Sequence, residues 1–206
     1  MDSVYFSFDL EELGMLPGDW VEQIERISRQ NAEHVFLDGK SSTSREPDDS
    51  AGTEYHVVTG NVVFEKLNWL YRLYASHLVA LAVKATGKTV MISPEINSAI
   101  NINVLEGAKA RYEWHVDSNP LTGLLFVTSH SEEAGGQLVF RLPSEDISVY
   151  PKRGTFLLFD ARKIPHTVMP LKYPHRRISI PMNYYTPEHT FEDVRPTDLD
   201  TYIYSS

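Results

Sequence analysis

Tyr112-Glu113-Trp114-His115-Val116-Asp117 is followed downstream by Pro165-His166-Thr167-Val168 and then by Arg176-Arg177-Ile178-Ser179-Ile180. In an extended strand successive side chains alternate between faces, so His115 and Asp117 point the same way and Val116 the other. Two imidazoles and one carboxylate on one side of an octahedral metal leave the remaining positions open, an arrangement associated with non-haem Fe(II) oxygen chemistry. The third ligand has to come from another strand, and His166 offers it. Among eight histidines and 28 acidic residues, one His-x-Asp triplet is a modest signal by itself. Its surroundings carry the reading further.

The chain has no cysteine, which removes thiolate zinc sites, disulfide scaffolds and cysteine nucleophiles together. Around the triplet the pattern is one of short strands. Ala99 to Leu105 alternates apolar and polar residues, Glu106-Gly107-Ala108-Lys109 turns, and Arg111 to His115 returns, predicting a hairpin that delivers His115 near a strand end. Leu124 to Thr128 is a buried strand, Glu132 to Gly136 a turn, and Gln137 to Arg141 its returning partner. Thr155 to Phe159, His166 to Met169 and Arg176 to Tyr184 complete the set. Such spacing, with Gly-containing turns, predicts a mainly β fold: a double-stranded β-helix, the jelly-roll or cupin-like barrel.

Upstream, Val4 to Phe8 reads as a strand, and Asp19 as the cap of a helix carrying Trp20, Ile24 and Ile27. Gly39 to Gly60 is polar and long for a connection, hence either disordered or a lid over a site. Phe64, Leu67, Leu70, Tyr71, Tyr74, Leu78 and Leu81 predict one long amphipathic helix ending at Gly87. The expected organisation is a single domain over 1–206. It comprises helical support with the 39–60 loop (1–98), the jelly-roll core (99–186) and an acidic tail (187–206) that folds back or mediates association.

In order along the chain, Tyr112 to Asp117, Gly135-Gly136-Gln137-Leu138, Gly154 to Phe159, Pro165 to Val168 and Arg177 to Ile180 resemble the Fe(II)/2-oxoglutarate-dependent dioxygenases, in their prolyl-hydroxylase-like branch. The resemblance spans about residues 99 to 186 and implies an enzyme using Fe(II), 2-oxoglutarate and O2. It makes His115, Asp117 and His166 both the metal ligands and the catalytic centre, and gives a basic residue of the last core strand to the distal carboxylate of 2-oxoglutarate. Alternation puts Arg177 and Ser179 on one face and Arg176 on the other. Arg177 is favoured, with Arg176 the alternative if the strand is out of step. Tyr112 and Asn103 are further co-substrate candidates, although a regular strand turns Tyr112 away from the metal, and Asn101 could meet either co-substrate or substrate. Where the family often has a tyrosine after the metal motif, Leu124 to Thr128 offers none, which leaves part of the pocket unassigned. Asp117 fills the position that related halogenases leave open with Gly or Ala, so the resemblance points to hydroxylation, with desaturation or ring closure as variants.

Substrate candidates near the open metal face are Glu113, Trp114, Asn119, Arg141 and Arg162, a polar set that suits a small, zwitterionic molecule such as an amino acid. A peptidyl (prolyl-type) hydroxylase and a non-catalytic jelly-roll binding protein are the alternatives. Retention of all three ligands and an arginine speaks against the last. A net charge of −9 and a pI near 5.3 disfavour nucleic acid and anionic membranes as partners. No apolar run reaches the roughly 18 residues of a membrane span. No signal peptide is apparent, and a cytoplasmic location is expected.

Overall fold

A computed structural model of the protein describes residues 4–37, 42–46 and 53–195. Strand β1 (Tyr5–Asp9) and helix α1 (Trp20–Asn31) lead into β2 (Glu33–Leu37) and β3 (Thr53–Val58). Helices α2 (Gly60–Lys66) and α3 (Asn68–Leu73), a π-helical turn (Tyr74–Leu78) and α4 (Val79–Thr86) follow. After β4 (Met91–Ile92) and α5 (Ile96–Ala99) come β5 (Ile102–Glu106), β6 (Tyr112–His115), β7 (Leu121–Phe126) and β8 (Leu138–Arg141). The chain continues through β9 (Asp146–Val149), β10 (Thr155–Phe159), β11 (His166–Val168), β12 (Arg176–Tyr185) and α6 (Phe191–Val194).

Two sheets form the molecule. The larger has the order β1-β10-β7-β12-β5-β3-β2 with β4 against β12, and the smaller the order β6-β11-β8-β9. All their pairings are antiparallel. This is the double-stranded β-helix. One apolar cluster, with Phe126, Phe140, Leu157 and Phe159, fills the space between the sheets. A second, with Ile24, Leu70, Tyr74, Ile178, Ile180 and Met182, lies between the larger sheet and the helices. The sheet thus buries both faces, and β12 alternates between them.

Four local expectations are corrected. Ala99–Leu105 and Arg111–His115 do not form a hairpin: β5 pairs with β12 and β3, whereas β6 pairs with β11. Likewise β7 and β8 lie in different sheets. In a jelly roll the chain crosses between sheets after such turns, and turn residues alone do not distinguish a crossing from a closed ladder. The helix expected over Phe64–Leu81 is broken where Leu67 leaves helical geometry (φ −130, ψ 48), and the π turn adds a residue that keeps both Tyr74 and Leu78 buried. It does end at Gly87, which takes the left-handed conformation (φ 66). Asp19 stands before α1, but its Oδ1 accepts from Gln23 Nε2 at 2.8 Å rather than from a backbone N–H.

Of the loop read over 39–60, residues 53–58 form β3, while 42–46 lie beside β6. Residues 39–41 and 47–52 are outside the described residues, as is the tail beyond Arg195.

Candidate active site

His115 ends β6 and His166 begins β11, and the two strands are neighbours with His166 directly opposite His115. Their rings lie 4.2 Å apart. Asp117 follows in the loop, its backbone N–H donating to Ala161 O at 2.9 Å, and its Oδ1 is 3.4 Å from His115 Nε2 and 3.6 Å from His166 Nε2. One ligand atom from each residue falls within 4.8 Å of the others. The imidazoles are oriented from behind: His115 Nδ1 donates to Glu113 O (2.7 Å) and His166 Nδ1 to Ile164 O (2.9 Å). Each Nε2 lone pair is thereby turned toward the carboxylate, as in metal-bound histidines.

The electrostatics agree with a cation site. Burial opposes ionisation of Asp117, yet the neighbouring imidazoles and the hydroxyl of Thr122 hold its carboxyl down at about 2. Burial and the adjacent His115 push His166 down to about 4. Burial also works against a charged His115, but the hydrogen bond and charge of Asp117 outweigh it and the net shift is upward. Two lone pairs and a fixed carboxylate therefore converge on a point that takes one proton or one metal ion. Thr122 donates to Asp117 Oδ2 and accepts from Asn119 Nδ2 at 2.9 Å, so Asn119 and Thr122 orient the carboxylate.

The strand carrying this motif is braced on its outer edge. Val116 N donates to Thr43 O (3.0 Å), Arg45 N to Trp114 O (2.6 Å), and Glu46 Oε1 receives Trp114 N (3.0 Å) and Arg111 Nη1 (2.8 Å). Residues 42–46 thus act as a short extra strand that satisfies the edge of β6.

The cluster opens on a cavity of about 180 Å³ that runs between the sheets. Inward-facing residues of β12 line it in alternation: Arg177, Ser179, Pro181, Asn183 and Tyr185. Arg177 is 2% exposed. Its Nε donates to Gly136 O and its Nη1 to Ser179 Oγ, both at 2.9 Å, while Nη2 is buried without a partner. Burial draws this guanidinium down to about 10, so it remains a cation at neutral pH, with no carboxylate among its described partners. The Gly135-Gly136 turn explains itself here. Both glycines are left-handed (φ 73 and 74), and a Cβ would stand 2.3 Å from Pro170 O at Gly135 and 2.7 Å from Leu171 Cδ2 at Gly136.

Tyr112 faces this cavity because β6 is irregular: His115 pairs with His166 but Tyr112 with Val168, four residues of β6 against three of β11. The ring of Tyr112 lies 4.8 Å from His115 and 5.2 Å from Tyr55 of β3. Burial holds both phenols above their ordinary range. Asn103 and Glu113 also line the cavity, the latter 2% exposed with Oε2 accepting from Ser44 Oγ at 3.2 Å. Tyr55, Thr122, Asn183, Tyr185 and Phe191 had no motif to mark them; of these only Thr122, just past the metal triplet, carried even a positional hint.

Other expected residues stand elsewhere. Arg176 is turned to the opposite face, 3.7 Å from Glu106 Oε2. Trp114 lies under Arg141, whose guanidinium is 3.7 Å from the ring, and neither lines the cavity. Arg162 is exposed and, among the described residues, donates to Ser118 O at 3.4 Å. Trp114 and Arg176 follow from strand alternation, since a strand residue next to an inward-facing one points the opposite way, and Arg162 from loop exposure.

With this geometry, residues 100–185 match the model of the family described as the 2OG-Fe(II) oxygenase superfamily. These residues belong to that superfamily. No curated protein sequence matches the chain. Solved structures share the oxygenase fold at low identity. An oxidoreductase of the 2OG-Fe(II) oxygenase family from Burkholderia pseudomallei is 12% identical, with 95% of this chain and 90% of that one covered and a TM-score of 0.70. A prolyl hydroxylase from Trichoplax adhaerens, solved with a peptide fragment of the hypoxia inducible factor oxygen degradation domain, is 16% identical over 94% and 89% of the two chains, with a TM-score of 0.65. The epimerase SnoN of nogalamycin biosynthesis, solved with Fe3+, alpha ketoglutarate and nogalamycin RO, is 13% identical over 89% and 79%, with a TM-score of 0.57. The enzymes of that superfamily use Fe(II), 2-oxoglutarate and O2, and the His115, Asp117 and His166 cluster offers a candidate site for such a metal. Among the described residues no helix is long and apolar enough to cross a membrane.

Proposed function

We propose that the protein hydroxylates an unactivated C–H bond of a small molecule such as an amino acid or a derivative, with conversion of 2-oxoglutarate to succinate. One observation carries the site assignment: the His115, Asp117 and His166 ligand atoms and the unpaired buried Nη2 of Arg177 open on the same cavity. The donor set fits Fe(II), and the orphaned cation fits the distal carboxylate of 2-oxoglutarate, for which a guanidinium fork is well shaped. When bound, the iron and its co-substrate supply the oxidising chemistry. The protein's share is positional. His115, Asp117 and His166 hold the metal; Arg177 and Ser179 hold the co-substrate carboxylate; Asn103, Tyr55 and Tyr112 shape the wall beside it. Leu124, Leu138, Phe159 and Val168 exclude water. Asp117 occupies a ligand position with a carboxylate, which favours hydroxylation over halide transfer.

A cavity of about 180 Å³ with a few convergent polar groups on an apolar wall supports a small substrate. Peptides remain the reading to beat, since the Trichoplax adhaerens enzyme was solved with one. Anaerobic addition of Fe(II) and 2-oxoglutarate is expected to give a metal-to-ligand charge-transfer band, and admission of O2 to give succinate. Absence of both refutes the assignment. Succinate release stimulated by peptides but by no free amino acid or derivative would move the substrate to polypeptides.

A further inference from the structure

The wall facing the metal contains amide groups that the cofactors do not use. On the larger sheet the strand register orders the cavity: Arg177 stands at one end, Ser179 pairs with Asn103 on the next rung, and Asn101 donates its backbone N–H to Pro181 O one rung further. Thr122 pairs with Asn183 beyond that, and Thr122 is the residue that touches Asp117. With about 6.8 Å between same-face residues, Asn101 and Asn183 lie at the metal's level, past the stretch a co-substrate held by Arg177 and Ser179 occupies.

Both amides have bonding capacity left over. Asn101 lines the cavity, yet its side chain makes no hydrogen bond to any described residue and its Oδ1 is buried without a donor. Asn183 donates Nδ2 to Ser98 O at 2.7 Å, which fixes its amide and leaves Oδ1 for the cavity it lines. A buried amide oxygen with nothing to bond costs on the order of 1–3 kcal/mol until a ligand or a water completes it.

We infer that Asn101, with Asn183 beside it, is a specificity-determining residue that reads a carboxamide or lactam on the substrate. This rests on the oxygenase reading of the same cavity. The wall offers a donor from Asn101 Nδ2 and an acceptor from the orphaned Asn101 Oδ1, with Asn183 Oδ1 a second acceptor beside it. A planar amide edge presents one acceptor and one donor and satisfies both. A carboxylate uses the donor but meets a carbonyl oxygen, and an ammonium uses the acceptor but meets an N–H. An apolar group leaves both unmade.

The test uses the full chain loaded with Co(II) and 2-oxoglutarate, titrated calorimetrically with glutamine against glutamate, and with 2-pyrrolidinone against cyclopentanone. The amide of each pair is expected to bind at least about tenfold more tightly. Asn101→Leu should erase that preference, and Asn101→Asp, which keeps the size of the side chain and exchanges its donor for an acceptor, should do so too. Thermal melts report that the variants are folded. Equal binding within each pair, or a preference unchanged in both variants, overturns the assignment even where 2-oxoglutarate still binds. Failure of the wild-type protein to bind 2-oxoglutarate overturns it together with the reading beneath it.

Discussion

Replacing Arg177 by Met separates what the arginine does for the fold from what it does for the ligand. Without 2-oxoglutarate, the buried guanidinium holds two hydrogen bonds, to Gly136 O and Ser179 Oγ. Bonds from a charged donor contribute roughly 1.5–3 kcal/mol each. Against this stands the burial that lowers its pKa to about 10, equivalent to roughly 3 kcal/mol against the cation. The variant should therefore lose only about 0–3 kcal/mol and remain folded. With ligand the balance differs, because removing one member of a buried ion pair costs about 3–5 kcal/mol, or roughly two to four decades of affinity. Differential scanning fluorimetry in the presence of Co(II) reads both effects. At 2-oxoglutarate a hundred times the wild-type Kd, the wild-type protein gains about 2.7 kcal/mol, whereas a variant weakened a hundredfold gains below about 0.5 kcal/mol. A variant that melts lower but keeps its full 2-oxoglutarate shift refutes the reasoning and moves the carboxylate to another cation.

Other residues make separate demands. Thr122→Val removes the hydroxyl that steadies Asp117 and should weaken Co(II) binding roughly 10- to 100-fold in a spectroscopic titration; unchanged affinity would make the contact incidental. His166→Ala should abolish stoichiometric Co(II) binding and stimulated succinate release, and retained turnover would sink the metal assignment. Gly136→Ala must hold φ 74 with its Cβ 2.7 Å from Leu171, so the melting temperature should fall by several degrees, with 2-oxoglutarate affinity falling as Arg177 shifts. Metal affinity should rise with pH. His115 is shifted above its ordinary value and His166 down to about 4, so from pH 5 upward a single proton competes with the metal. Log affinity then climbs with a slope near one through pH 6.5 and levels only above the raised pKa of His115; a slope near two means that both imidazoles were protonated.

Much of this was legible because alternation is a strong constraint. Arg177, Ser179 and the apolar residues between them could be assigned to opposite faces from spacing alone, and β12 runs without irregularity from Arg176 to Tyr185. The same rule turns Trp114 away from the cavity, and Arg141 and Arg162 do not line it either. The tyrosine missing from Leu124–Thr128 has a counterpart in Tyr55 and Tyr112, which come from β3 and β6. Tyr55 belongs to a stretch whose polar composition read as a loop, and its place depends on pairing with β5, a long-range contact that local composition does not encode.

Tyr112 shows where alternation ends. By strict parity it points away from the face of His115, yet its ring lies 4.8 Å from that imidazole. The extra residue between the Tyr112–Val168 and His115–His166 pairs resets the parity within one short strand. The outer edge of β6 is tied to residues 43–46, which leaves the strand little freedom to slip back into register. A regularised β6 would turn either Tyr112 or His115 out of the cavity. The bulge is therefore what lets one short strand supply a candidate metal ligand and a wall of the adjoining cavity together, and deleting a single residue between Tyr112 and His115 should cost the site one of them while leaving the larger sheet intact.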